Sequence, residues 1–153
     1  PPDSISMTSA SSLINRTLAA SIGITAVHIC FGNNASRPFA RRDFGRLMPA
    51  MGALDCNMLL LEFANREMAD LVLLPQLSAR HTVAAGVVDV KSFHVETAEE
   101  VADRIRKVLE HLPANKLLVT ADCGFSALPR WLARAKLQAM VAGTAIIRRE
   151  LRL

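Results

Sequence analysis

The hydrophobic positions change period along the chain, and the changes outline alternating helices and strands. After a polar start, Leu13, Ile14 and Leu18 share one face at helical spacing, which predicts a short helix over 11–20. The β-branched run from Ile22 to Ile29 predicts a first strand, stopped by Gly32-Asn33-Asn34. A polar, arginine-rich loop follows to about Asp43, which is placed to cap a helix carrying Phe44, Leu47, Met48, Met51 and Leu54. Met58-Leu59-Leu60-Leu61, closed by Glu62, is continuously apolar, as expected of a strand buried on both faces in a parallel sheet. Residues 68–77 have a helical pattern that Pro75 limits. A third strand is predicted over 83–90. Thr97-Ala98-Glu99-Glu100 has the form of a capping box, in which each side chain accepts the other residue's amide. The helix it opens turns Val101, Ile105, Val108, Leu109 and Leu112 inward, and Pro113 ends it. A fourth strand over 116–120 and a last helix from Pro129 through about Val141 complete the pattern.

This alternation predicts one α/β domain over residues 1–153, with parallel strands joined by right-handed helical crossovers. Four strand–helix units are half of a (βα)8 barrel of the TIM type, or a small open sheet. Sequence pattern alone does not separate the two. A chain of 153 residues, 51% hydrophobic and 21% charged, is long enough and apolar enough to fold around a core. Aromatics are only 5%, with no Tyr, so that core must be built of Leu, Val, Ile, Ala and Met. The net charge of +4 includes dispersed pairs such as Arg41-Arg42 and Arg148-Arg149. No basic stripe alternates with aromatics, so no nucleic-acid partner is expected. No apolar stretch approaches the roughly 20 residues of a membrane span, and the opening residues do not have the pattern of a secretory leader. Three cysteines, an odd number, make no disulfide framework; a reducing cytoplasm is the expected setting.

Polar residues close every predicted strand: His28 and Cys30 the first, Glu62 the second, Asp89 and Lys91 the third, Asp122 and Cys123 the fourth. In parallel α/β folds the C-terminal strand ends converge on the ligand site. His28 and Cys30, two apart in an extended chain, project to the same side and could grip one ion. A lone cysteine or histidine at such a position is usually structural. A carboxylate at the end of an apolar strand is different, because it needs a partner or a metal. Two thiolates, an imidazole and a carboxylate suit tetrahedral zinc. Such a site carries about one excess negative charge, which favours keeping a bound thiol deprotonated over activating water. Glu62, the hardest ligand, is the most exchangeable. Cys56 precedes its strand and is expected to be structural.

His28-Ile-Cys30-Phe-Gly-Asn33, Glu62-Phe-Ala-Asn65, Gly86-Val-Val-Asp89 and Asp122-Cys123-Gly124-Phe125 together resemble the C-terminal catalytic half of the cobalamin-independent methionine synthase family, from about Thr25 onward. The resemblance implies a (βα)8 barrel with zinc at its C-terminal mouth, held by His28, Cys30, Glu62 and Cys123. It implies methyl transfer from methyltetrahydrofolate to the sulfur of homocysteine, a step in methionine synthesis. Asp89 and Ser92 match positions near the amino-acid substrate.

Two departures bear on that expectation. The loop Asn33 to Asp43 is longer than in full-length methionine synthases, and Asp89-Val-Lys91-Ser92 stands where they carry Asp-Ile-His-Ser. The family His is the proton donor to the departing pterin nitrogen; Lys91 would replace it, with Asp89, or bind an anionic group of a substrate. These features are more similar to the shorter paralogues, which include enzymes that open epoxides with coenzyme M. Three readings stand: a zinc methyltransferase, a zinc thiol alkyltransferase of another substrate, and an inactive metal-binding fragment or α/β module. Because the motifs match the second half of a barrel, an upstream half, or a second copy of the chain, is expected to complete it.

Overall fold

A computed structural model describes residues 7–153; the polar start at 1–6 lies outside them. In chain order the elements are α1 (Met7–Leu18), β1 (Ala26–Ile29), α2 (Met48–Gly52), β2 (Met58–Glu62), α3 (Leu74–Ser78), β3 (Thr82–Val88), α4 (Ala98–Leu109), β4 (Leu117–Ala121) and α5 (Arg130–Glu150), with short 3-10 turns between several of them. All four strands are parallel and lie in the order β1-β2-β3-β4. Sequential neighbours with helical crossovers are what the alternating pattern predicts, and the expected α/β class holds.

β2 and β3 form the buried centre. Leu59, Leu61, Val83, Ala85, Val87 and Val88 are at most 1% exposed, and Met51, Leu74, Ile105 and Val108 pack over them from the helices. The outer strands are wetter, β1 alternating exposed and half-buried residues and β4 leaving Leu118 44% exposed. No described helix is long and apolar enough to cross a membrane.

The capping box forms as expected: the Glu100 amide donates to Thr97 Oγ1 (3.1 Å) and the Thr97 amide to Glu100 Oε2 (2.6 Å). Asp43 is not the N-cap it was expected to be: Phe44 holds that position on a 3-10 turn ahead of α2, and Asp43 Oδ1 accepts the Arg46 amide at 3.3 Å from one residue earlier. Elsewhere the boundaries differ from the sequence reading. Pro75 does not limit α3; it sits in the first turn and opens it, because no intrahelical bond needs its missing N–H there. The segment before it cannot continue a helix, since Glu67, Met68 and Asp70 all have positive φ. β1 starts only at Ala26, after Gly23 at φ +98°. α5 runs nine residues past Val141 to Glu150. Gly143 lies inside it because α5 crosses α4 there: a Cβ would sit 2.6 Å from the Ala98 carbonyl oxygen.

Candidate metal centre

In a flat sheet, β1 and β4 would stand three strand spacings apart, about 14 Å. Yet Cys30 Sγ, one residue past β1, lies 3.9 Å from Cys123 Sγ, two residues past β4. Asn33 Nδ2 makes a second crossing, donating to the Gly124 carbonyl at 3.0 Å. The C-terminal ends therefore curl toward one another, the curvature of a barrel segment and not of an open sheet.

Asp122 ties the curled ends together. Its Oδ1 accepts the amides of Phe63 and Ala64, each at 2.9 Å, and its Oδ2 accepts that of Asn65 at 2.6 Å. Burial pushes Asp122 up to about 7, while the three amides favour its ionised form. The side chain reaches from β4 to the end of β2 across β3, and Gly86 of β3 lets it pass. A Cβ on Gly86 would lie 2.8 Å from Asp122 Cα and 2.9 Å from the Leu61 carbonyl oxygen. Gly86→Ala is accordingly expected to lower stability by about 1–3 kcal/mol through overpacking and to displace Cys123. A urea-unfolding midpoint and metal retention measured on the same sample check both effects.

Ligand atoms of His28, Cys30 and Cys123 all lie within 4.8 Å of one another. Both cysteines are free thiols. Their 3.9 Å separation matches the roughly 3.8 Å expected of two thiolates bonded at 2.3 Å in a tetrahedron. Although His28 as a residue is exposed, desolvation lowers its ring's pKa, against an upward pull from Glu62. Burial, and then the neighbouring Cys123, raise the pKa of Cys30. A neutral imidazole beside two crowded sulfurs is a donor set that a soft divalent cation would satisfy.

Glu62 is the fourth expected member, and it lies outside the three-residue cluster. It is 0% exposed. Its Oε2 accepts Lys91 Nζ at 2.6 Å and the Phe31 amide at 3.3 Å. Its Oε1 is buried with no hydrogen-bond partner. Glu62 acts electrostatically on both His28 and Cys30, and its orphaned buried oxygen makes it the candidate fourth donor.

The remaining candidates sit on the loop after β3. Asp89 Oδ1 accepts the Lys91 amide (2.7 Å) and Asn65 Nδ2 (3.2 Å). Ser92 Oγ accepts the His94 amide at 3.0 Å, which holds the turn. His94 Nε2 pairs with Glu100 at 3.0 Å. Cys56 is buried near the opposite end of β2, with His81 Nδ1 at 3.9 Å from its Sγ. Sequence reasoning assigned no site role to Asp122, Asn33 or Gly86. Their signal was their place inside the quoted motifs, but the contacts that give them work join segments dozens of residues apart. The long loop 33–43 folds back against the site, with Arg42 Nη1 donating to the Asn65 carbonyl at 3.1 Å and the Phe39 amide to the Phe31 carbonyl at 3.0 Å.

Residues 6–145 match the family described as "Cobalamin-independent synthase, Catalytic domain". A 2-hydroxypropyl-CoM lyase of Xanthobacter autotrophicus is 58% identical over 67 residues, 44% of this chain and 18% of that protein. A methionine synthase of Saccharolobus solfataricus is 35% identical over 126 residues, 82% of this chain and 35% of that one. The chain thus spans about a third or less of these curated relatives. The solved B12-independent methionine synthase of Shewanella sp. W3-18-1, in complex with selenomethionine, superimposes with a TM-score of 0.81 at 31% identity, over 92% of this chain and 43% of that one.

Proposed function

The chain belongs to the cobalamin-independent synthase catalytic-domain family, and on that premise we propose that it holds a zinc ion with His28, Cys30, Cys123 and Glu62 and uses it to activate homocysteine for methyl transfer from methyltetrahydrofolate. The observation that carries this is the meeting of two thiols and an imidazole at strand ends, next to a buried carboxylate with one oxygen unpartnered. A bound zinc ion would supply Lewis acidity that keeps an incoming thiol deprotonated at neutral pH.

The rest is the work of this chain's residues. Asp122 fixes the loops after β2 and β4 to one another, so that Glu62 and Cys123 keep a constant separation. Asn33 does the same for β1 and β4. The excess negative charge of two thiolates and a carboxylate disfavours activation of water and suits a soft sulfur nucleophile. On this reading Asp89 and Ser92, on the loop after β3, contact the polar end of an amino-acid thiol. Lys91 and Asp89 serve the reaction from the same loop, Lys91 through its ion pair with Glu62.

A second reading has its own support. The 58% identity to a 2-hydroxypropyl-CoM lyase favours alkyl transfer involving coenzyme M, at the same metal centre. Purified under reducing conditions, the chain is expected to retain one zinc per chain by elemental analysis and to release a proton on adding homocysteine. Methyl transfer from methyltetrahydrofolate to homocysteine would support the leading reading; turnover of an epoxide with coenzyme M, and none with that pair, would replace it. A folded chain without stoichiometric zinc would sink both.

A further inference from the structure

The loop after β3 places a buried cation on the candidate ligand Glu62. Lys91 Nζ lies 2.6 Å from Glu62 Oε2, and the two side chains are 1% and 0% exposed. Oε2 receives a second donor, the Phe31 amide, while Oε1 receives none. Lys91 is fixed from behind, its own amide donating to Asp89 Oδ1 and the Asp89 amide to buried Glu96 at 2.8 Å. One oxygen of the carboxylate is therefore saturated and the other is bare. A buried carboxylate is strongly disfavoured without full compensation. The bare oxygen calls for a cation, and Glu62 is an electrostatic neighbour of His28 and Cys30 in the cluster that could hold one.

We propose that Lys91 is a positioning residue: it grips Glu62 through Oε2, leaves Oε1 for a metal held by His28, Cys30 and Cys123, and retains the carboxylate when a substrate thiol displaces it. This rests on the metal reading above. The exchange balances in charge. The thiol enters as a thiolate, its proton goes to solvent, and Glu62 leaves the metal still paired with Lys91. Without the lysine, a displaced Glu62 would be a buried charge with only the Phe31 amide, so it would stay on the metal and oppose thiol entry. A role for Lys91 as proton donor alone predicts the reverse: unchanged thiol affinity and lost turnover.

The test uses the full chain loaded with Co2+, whose visible bands report coordination number and thiolate ligation, titrated with L-homocysteine and with coenzyme M. Lys91→Met is expected to hold Co2+ against a chelator at least as tightly as wild type, yet to bind thiol on the order of 100-fold more weakly. Lys91→Arg should keep most of the affinity, since the charge remains. Adding Glu62→Gln to Lys91→Met should restore thiol binding, because a neutral amide needs no counter-charge. Should Lys91→Met not fold, the double variant is compared with Glu62→Gln alone, and the two should agree within about twofold. Equal titrations of wild type and Lys91→Met, or no recovery in the double variant, overturn the proposal and leave the metal reading standing. A wild-type chain that takes up no Co2+, or binds Co2+ but neither thiol, sinks the reading beneath it.

Discussion

Cys123→Ser is expected to weaken metal binding by about 100- to 1000-fold, measured by competition with a chelator. The magnitude follows from sharing a zinc-site free energy of about 10–16 kcal/mol among four ligands, of which a thiolate carries at least its quarter. Serine keeps the volume but offers a hydroxyl, a poor ligand for a soft cation. Cys30 would be left facing an oxygen where the structure now places sulfur at 3.9 Å. His28→Ala should show a comparable loss. Cys56→Ser supplies the control, since Cys56 is buried against His81 away from the cluster. It should keep the metal; metal loss in that variant, or full retention in Cys123→Ser, would mean the ligands are wrongly assigned.

Lys136→Met should produce the largest loss of stability, about 3–5 kcal/mol, the usual consequence of removing one member of a buried ion pair. Lys136 is 0% exposed and Glu96 2%. Lys136 Nζ donates to Glu96 Oε2 at 2.9 Å and to the carbonyl of His94. Glu96 Oε1 accepts the Asp89 amide and Arg104 Nη1, at 2.8 and 3.2 Å. The network ties α5 to the loop that carries Asp89 and Lys91, so the site should loosen with the fold. Pairing the change with Glu96→Gln should recover much of the loss in a urea-unfolding series, because no buried carboxylate is then left short of a cation and Arg104, 22% exposed, keeps access to solvent.

The pH dependence has a definite sign. Burial would raise the pKa of Glu96, but Lys136 and the Asp89 amide outweigh it and hold the carboxyl below its ordinary 4.5. A depressed folded value contributes stability that is complete above the unfolded value and disappears as pH falls through the folded one. Wild type should therefore weaken on acidification through that range. The gap between wild type and Lys136→Met should narrow there, since the variant's carboxylate, left with Arg104 as its one counter-charge, loses less on protonation than the doubly paired one. A gap that stays constant with pH would show that the lysine acts through packing alone.

Local signals were legible wherever their physics is local. The capping box needs only Thr97 and Glu100, three residues apart, and it formed as expected. The run Met58–Leu61 specified a strand by its own lack of polar groups, but the burial expected on both faces is complete on only one, since Met58 and Leu60 are half-buried. Boundaries were less legible where a proline or glycine has two uses. Pro75 opens a helix that it was expected to limit, and Gly143 serves a helix crossing, a contact invisible without the partner helix. Lys91 is the clearest case at the site. As a residue type at a strand end it suggested a proton donor or an anion binder, and nothing nearby in sequence pointed to Glu62, 29 residues away.

By itself the sequence determined the alternation of strands and helices, the parallel sheet, and which polar side chains would stand at the strand ends, because periodicity and capping act over a few residues. Tertiary structure alone decided that the sheet curls enough to bring Cys30 to Cys123 across two intervening strands. It alone decided that one oxygen of Glu62 is held by Lys91 while the other is bare. Asp122 passes Gly86 to reach the end of β2, a contact between remote segments whose distances depend on the packing of the whole sheet.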